Sequence, residues 1–179
     1  VHLNPYGEAP VRLAADLAGS PPRTTEELVR RCRAAGMVVD RPPSEGDLAE
    51  VAEFLTRWLE VVDADEPARR AALLNVLLAE SSSSPRLTNH AGDGWHIHYR
   101  PDDLTLAAVV RALISVGTAL HLSGRGMDRL RRCALRDCAR PFADLTRGGA
   151  QRYCSPRCAN RDAVRRHRAR TPHRVPPEA

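Results

Sequence analysis

Lysine is absent from the chain: all 27 basic residues among its 179 are arginine. With abundant alanine, leucine and valine, this points first to the coding bias of a GC-rich bacterial genome, so arginine identity alone argues for no function. No apolar run approaches transmembrane length, and no membrane partner is expected. The first residues lack the basic, apolar and small-residue order of a secretory signal. Reduced thiols in a cytoplasmic, nucleoid-associated setting are therefore expected, rather than disulfides. Internal repeats are missing too, which sets aside solenoids and arrays.

Against these absences stands a concentration of cysteine. Four of the five cysteines lie between positions 133 and 158. Cys133 and Cys138 are spaced C-x4-C; Cys154 and Cys158 are spaced C-x3-C. Each close pair lets one tight turn aim two sulfurs at one ion, which is what a tetrahedral Zn2+ site needs. An iron–sulfur cluster and a pair of disulfides are the alternatives. Residues 141–145 and 151–153 read as the strands of a β-hairpin, turning at Arg147, Gly148 and Gly149. Ser155 suits a helix cap and Pro156 an early helical position, which places Cys154 and Cys158 on one side of a first helical turn. Turn, hairpin and helix in this order predict a treble-clef-like finger with one structural zinc. Treble clefs also host ββα nucleases, but those need a hairpin histidine, and none lies between Cys133 and Cys158. Four thiolates also close the metal to water, so no catalytic residues and no enzyme are expected.

The charge is segregated. Residues 1–124 hold twelve arginines against seventeen acids, a balance of −5, and residues 125–179 hold fifteen against five, a balance of +10. On a helical wheel Arg157, Arg161, Arg165 and Arg168 fall within a sector of about 80°, while Arg166 and Arg170 project from the other side. Only Asp162 is available within the run to pair with them. A stripe of this kind is the electrostatic footprint of a nucleic-acid surface, because each phosphate contact releases counterions. Double-stranded DNA is the expected partner. The alternative is a zinc-dependent protein-interaction module without direct DNA binding, whose acidic target could include the chain's own N-terminal part.

These residues resemble the CGNR zinc finger, a bacterial family named for the run at its fourth ligand. The chain has Cys158-Ala159-Asn160-Arg161, followed by Val164-Arg165-Arg166-His167-Arg168-Ala169-Arg170. Ala159 replaces the family's glycine, and Tyr153 stands where the family usually has tryptophan. The resemblance implies an N-terminal ABATE domain of a stress-induced transcription regulator, a reading that in this chain rests on residues 11–17 and on a helix through Asn75 and Ala79. Asn160 and Tyr153 are expected to support the finger structurally, Asn160 by bracing its backbone and Tyr153 by covering the metal. One small finger buries little surface on DNA, so a homodimer or a further contact is expected. A small-molecule or protein effector would act at the N-terminal domain.

The remaining chain predicts an α+β fold: a mostly helical domain with a small β-hairpin over 1–124, the finger over 125–171, and a disordered tail over 172–179. Residues 11–18 form a short apolar run that periodicity assigns neither to strand nor to helix. Thr24 to Glu27 cap a helix with Leu28, Val29, Cys32 and Ala35 inward, which makes Cys32 core. Ser44 and Asp47 open a long amphipathic helix through Phe54 and Trp58. Another helix over about 66–79 turns Ala72, Leu73, Val76 and Leu77 inward, before a flexible serine loop. Residues 86–90 and 95–100 read as strands. In the second, Trp95, Ile97 and Tyr99 alternate with His96 and His98, which share a face and could share a metal with His90 opposite. With no acid or cysteine evident nearby, the two histidines are expected on the solvent side. The most apolar helix, over 103–122, is the expected core helix, and residues 123–126 a hinge.

Overall fold

The computed structural model of the protein describes residues 7–39, 41–89 and 94–170. Its elements are α1 (Glu8–Gly19), α2 (Thr25–Ala34), α3 (Asp47–Asp63), α4 (Pro67–Ser81), β1 (Arg86–Thr88), β2 (His96–His98), α5 (Leu106–Arg125), β3 (Leu130–Arg132), β4 (Pro141–Ala143) and α6 (Pro156–Arg170). The expectations for His90 and for the 172–179 tail lie outside the described residues.

The ambiguous run 11–18 is helical. It forms α1 with Val11, Leu13, Ala14 and Leu17 buried, a helical spacing that reaches the core only from this conformation. Thr24 caps α2 as expected, its hydroxyl accepting from the Glu27 amide at 3.2 Å. In α3, Val51, Phe54, Leu55, Trp58, Val61 and Val62 turn inward, and the Trp58 indole nitrogen donates to Thr118 Oγ1 on α5 at 3.0 Å. Asp47 is buried at the start of α3, where Oδ2 accepts the Ser44 amide at 2.6 Å. Its Oδ1 accepts the Ala107 amide at 2.8 Å, so one carboxylate ties the turn before α3 to the first turn of α5. The inward face of α4 differs from the expected one. Arg70, Leu74 and Leu77 are buried there, while Val76 is exposed.

Helix α5 corrects the expectation that no apolar run reaches membrane length, since by length and composition alone it is long and apolar enough to span one. Its role as core helix explains the composition. It packs against α1, α3 and α4. Its buried positions include Ser115, Thr118 and His121 among the apolar ones. The helix starts at Leu106, three residues later than expected, because Thr105 caps it through the Ala108 amide at 3.2 Å. Gly117 permits its closest approach: a Cβ there would lie 2.4 Å from Pro10 Cβ on α1.

The first hairpin pairs Leu87 with Ile97 and Thr88 with His96. Its faces are inverted relative to expectation. Trp95, Leu87 and Ile97 are exposed, His98 is buried and His96 half-buried. The reason is Asp102, in the turn before α5, which meets both Arg86 and the His98 ring.

Candidate metal centre and arginine helix

The finger's hairpin is a correction too. β3 pairs antiparallel with β4, matching Leu130 to Ala143, Arg131 to Phe142 and Arg132 to Pro141. The Cys133 amide continues the ladder by donating to the Arg140 carbonyl at 2.9 Å, so the first cysteine pair sits in the hairpin's own loop. Residues 151–153 form no strand. Asp144 explains why. Fully buried, it accepts the Thr146 amide at 2.9 Å, the Thr146 hydroxyl at 2.6 Å and the Gln151 amide at 2.9 Å, which commits residues 144–151 to a loop. Burial pushes the Asp144 carboxyl up, but these hydrogen bonds and the Arg129 charge hold it below the usual carboxylate range.

The Cys138 amide closes the first turn on the Leu135 carbonyl at 2.9 Å. The second pair straddles the start of α6, with Cys154 before it and Cys158 in its first turn, and Ser155 Oγ accepts the Cys158 amide at 3.3 Å, as its capping position predicts. Together these turns bring Cys133, Cys138, Cys154 and Cys158 to one point, all four sulfurs within 4.8 Å of one another. The Sγ separations are 3.6 Å for Cys138 and Cys154, and 3.7 Å for Cys154 with Cys158 and for Cys158 with Cys138. A tetrahedron of sulfurs ~2.3 Å from one ion has edges of about 3.8 Å, which these distances match. A disulfide needs ~2.05 Å, so the disulfide alternative fails. A cluster of several irons would have to spread the sulfurs wider than this. The donor set fits one structural zinc.

The thiols are unequal. Burial pushes Cys154 up to about 12, with its sulfur neighbours adding to the effect, while the Ser155 hydrogen bond pulls Cys158 down to about 7. The Cys154 amide also donates to Cys133 Sγ at 3.4 Å. Cys32 stands apart, buried in the helical core, where desolvation raises its thiol to about 11.

Tyr153 packs against the small cluster of Cys133, Leu135 and Cys158. Its hydroxyl donates to Asp162 Oδ2 at 2.7 Å. Asp162 is the centre that sequence reasoning underrated. Buried on α6, it also takes Arg166 Nε at 2.9 Å and Arg165 Nη2 at 3.1 Å. The Tyr153 bond first, then the two arginine charges, hold its carboxyl low. Its lone position as an acid in a basic run was the available signal. Two of the six arginines are thus tethered to the finger. Arg157, Arg161, Arg168 and Arg170 have no carboxylate partner among the described residues, and all six are exposed.

Arg157, Asn160, Arg161, Arg165 and Arg168 line one open cleft of about 750 Å³, closed on its other side by Leu135 and Asp137 of the first cysteine turn. Asn160 is exposed there, with no side-chain hydrogen bond among the described residues. On the finger's opposite side, β3 and β4 pack on α3 and α1. Leu130 and Ala143 join the main helical core, and Arg132 holds Asp63 through two 2.7 Å contacts. The arginine helix is therefore displayed from a hairpin anchored on the N-terminal helices.

No curated protein matches the chain. Residues 129–171, which contain all four clustered cysteines and the arginine helix, match the family model of the CGNR zinc finger.

Proposed function

We propose that the protein is a DNA-binding transcriptional regulator in which the zinc fixes α6 and α6 meets the phosphates. One observation carries this reading: three arginines without carboxylate partners among the described residues, Arg157, Arg161 and Arg168, share a single open cleft with Asn160. Phosphate oxygens are the ligands such a cleft suits, and an exposed asparagine beside them can address a base edge. A cysteine turn, a hairpin strand and a helix with Cys154 just before its start and Cys158 in its first turn support a treble-clef assignment. A closed shell of four thiolates supports a structural rather than catalytic metal, and no enzyme activity is proposed. The ABATE resemblance supports a regulatory role for residues 1–124, in which a small molecule or protein partner acts on the helical domain and the anchored hairpin transmits the change. A homodimer acting in the bacterial cytoplasm fits the small footprint of one finger.

The test is binding of the zinc-loaded chain to random duplex DNA across a salt series, beside an Arg157/Arg161/Arg168→Ala variant that spares the Asp162 pairs. The logarithmic salt slope should flatten by ~0.9 for each phosphate contact removed. Absence of binding at low salt refutes this reading and favours the protein-interaction alternative.

A further inference from the structure

Neither the zinc centre nor the arginine helix uses the histidine pair on β2. His96 and His98 lie two residues apart, so both rings leave the same face of the strand. Their Nε2 atoms come within 3.1 Å of each other, with ring centroids 4.8 Å apart and ring planes inclined at 59°. Each Nδ1 faces a group that can only accept. His96 Nδ1 is 2.9 Å from the Gly94 carbonyl oxygen, and His98 Nδ1 is 3.3 Å from Asp102 Oδ1, a carboxylate that Arg86 also holds. With Nδ1 carrying the proton in each neutral ring, the two Nε2 lone pairs face one another across 3.1 Å.

An ion ~2.0–2.1 Å from each nitrogen, with the nitrogens at this separation, subtends an angle of about 98°, between the octahedral and tetrahedral values. A carboxylate or backbone carbonyl behind each ring is also the support that metal-binding histidines have. We propose that His96 and His98 form a second metal site, specific for an imidazole-preferring divalent cation such as Ni2+, Cu2+ or Zn2+, with Asp102 and the Gly94 carbonyl as orienting groups. The site is chemically distinct from the four-thiolate centre and lies in the helical domain. It does not depend on the finger binding DNA.

The test takes the full chain without an affinity tag, its thiolate centre already loaded with zinc, and titrates it with NiCl2 at pH 7.5 in a calorimeter. One equivalent should bind with a dissociation constant on the order of 10 μM. His96→Gln should weaken it at least tenfold, and Asp102→Asn by roughly tenfold or more, as loss of an orienting partner does. His167→Gln should leave it unchanged. His98 is buried, so the half-buried His96 carries the test, with circular dichroism confirming that the variant is folded. No saturable binding below about 0.1 mM overturns the proposal, as a pair sharing only a proton would give. Binding that survives His96→Gln overturns it equally.

Discussion

Arg70 offers the sharpest test of how the finger is joined to the helical core. It is 7% exposed, and its guanidinium reaches four carbonyls: Val61 at 3.0 Å, Val62 at 3.0 Å, Ala64 at 2.6 Å and, across the chain, Met127. The first three belong to the C-terminal end of α3, whose last carbonyls have no partner within the helix, and a cation there also meets the negative end of the helix dipole. Met127 begins the approach to β3. Replacing Arg70 with methionine keeps the aliphatic stem and removes every donor. At ~1.5–3 kcal/mol for each hydrogen bond from a charged group, four bonds would suggest roughly 6–12 kcal/mol, but such terms do not add. An adjoining cavity of about 390 Å³, lined by Val62, Asp63, Met127 and Arg132 among others, also lets water reach part of the vacated site. The expected loss is therefore about 3–5 kcal/mol, comparable to breaking a buried charged contact. For a chain of this size that lowers the melting temperature by roughly 6–20 °C. Thermal and urea unfolding of the zinc-saturated protein, followed by circular dichroism, would measure it. Arg70→Lys should recover less than half, because one ammonium cannot span the fork. A loss below about 1 kcal/mol for the methionine variant would refute the reasoning.

Four further outcomes follow from the same structure. Gly117→Ala should destabilise by about 1–3 kcal/mol despite alanine's better helix propensity, because the new methyl would lie 2.4 Å from Pro10 Cβ; denaturant midpoints measure it. His121 is fully buried, with neither ring nitrogen hydrogen-bonded among the described residues. Burial, then the Arg125 charge, pushes its pKa below the usual 6.5, more strongly than the Arg129 backbone raises it. The unfolded chain then binds the proton more readily, so this contribution is intact above 6.5 and is lost as pH falls below it; His121→Asn should flatten the acid limb of a stability profile. Chelation should unfold the finger and weaken the helical signal from α6. Zinc affinity should fall with acidification as protons compete for the thiolates, which metal content after dialysis at graded pH would reveal.

Local chemistry was legible in the chain. Cysteine spacing names the four sulfurs because two tight turns suffice to converge them, and Thr24, Ser155 and Pro156 mark helix starts because caps act over three or four residues. The arginine stripe follows from helical period alone. The finger's strand pairing was not legible: residues 141–143 choose 130–132 over 151–153 once Asp144 captures Thr146 and Gln151, and sequence proximity does not reveal which competitor wins. The face of β2 was misread for a related reason. Alternation says that His96 and His98 share a side, but only Asp102 and the packing of α5 decide which side is inward.

What the order of residues carried, then, is whatever depends on neighbours within a turn or a helical period: the metal ligands, the caps, the basic face and the apolar core helix. What awaited the folded chain is whatever depends on partners far apart in sequence. Asp47 holds the first turn of a helix 60 residues away, Arg70 reaches Met127 across 57, and Arg132 meets Asp63 across 69. Buried polar groups must find hydrogen-bond partners wherever the fold supplies them, and no local pattern names a partner at that distance.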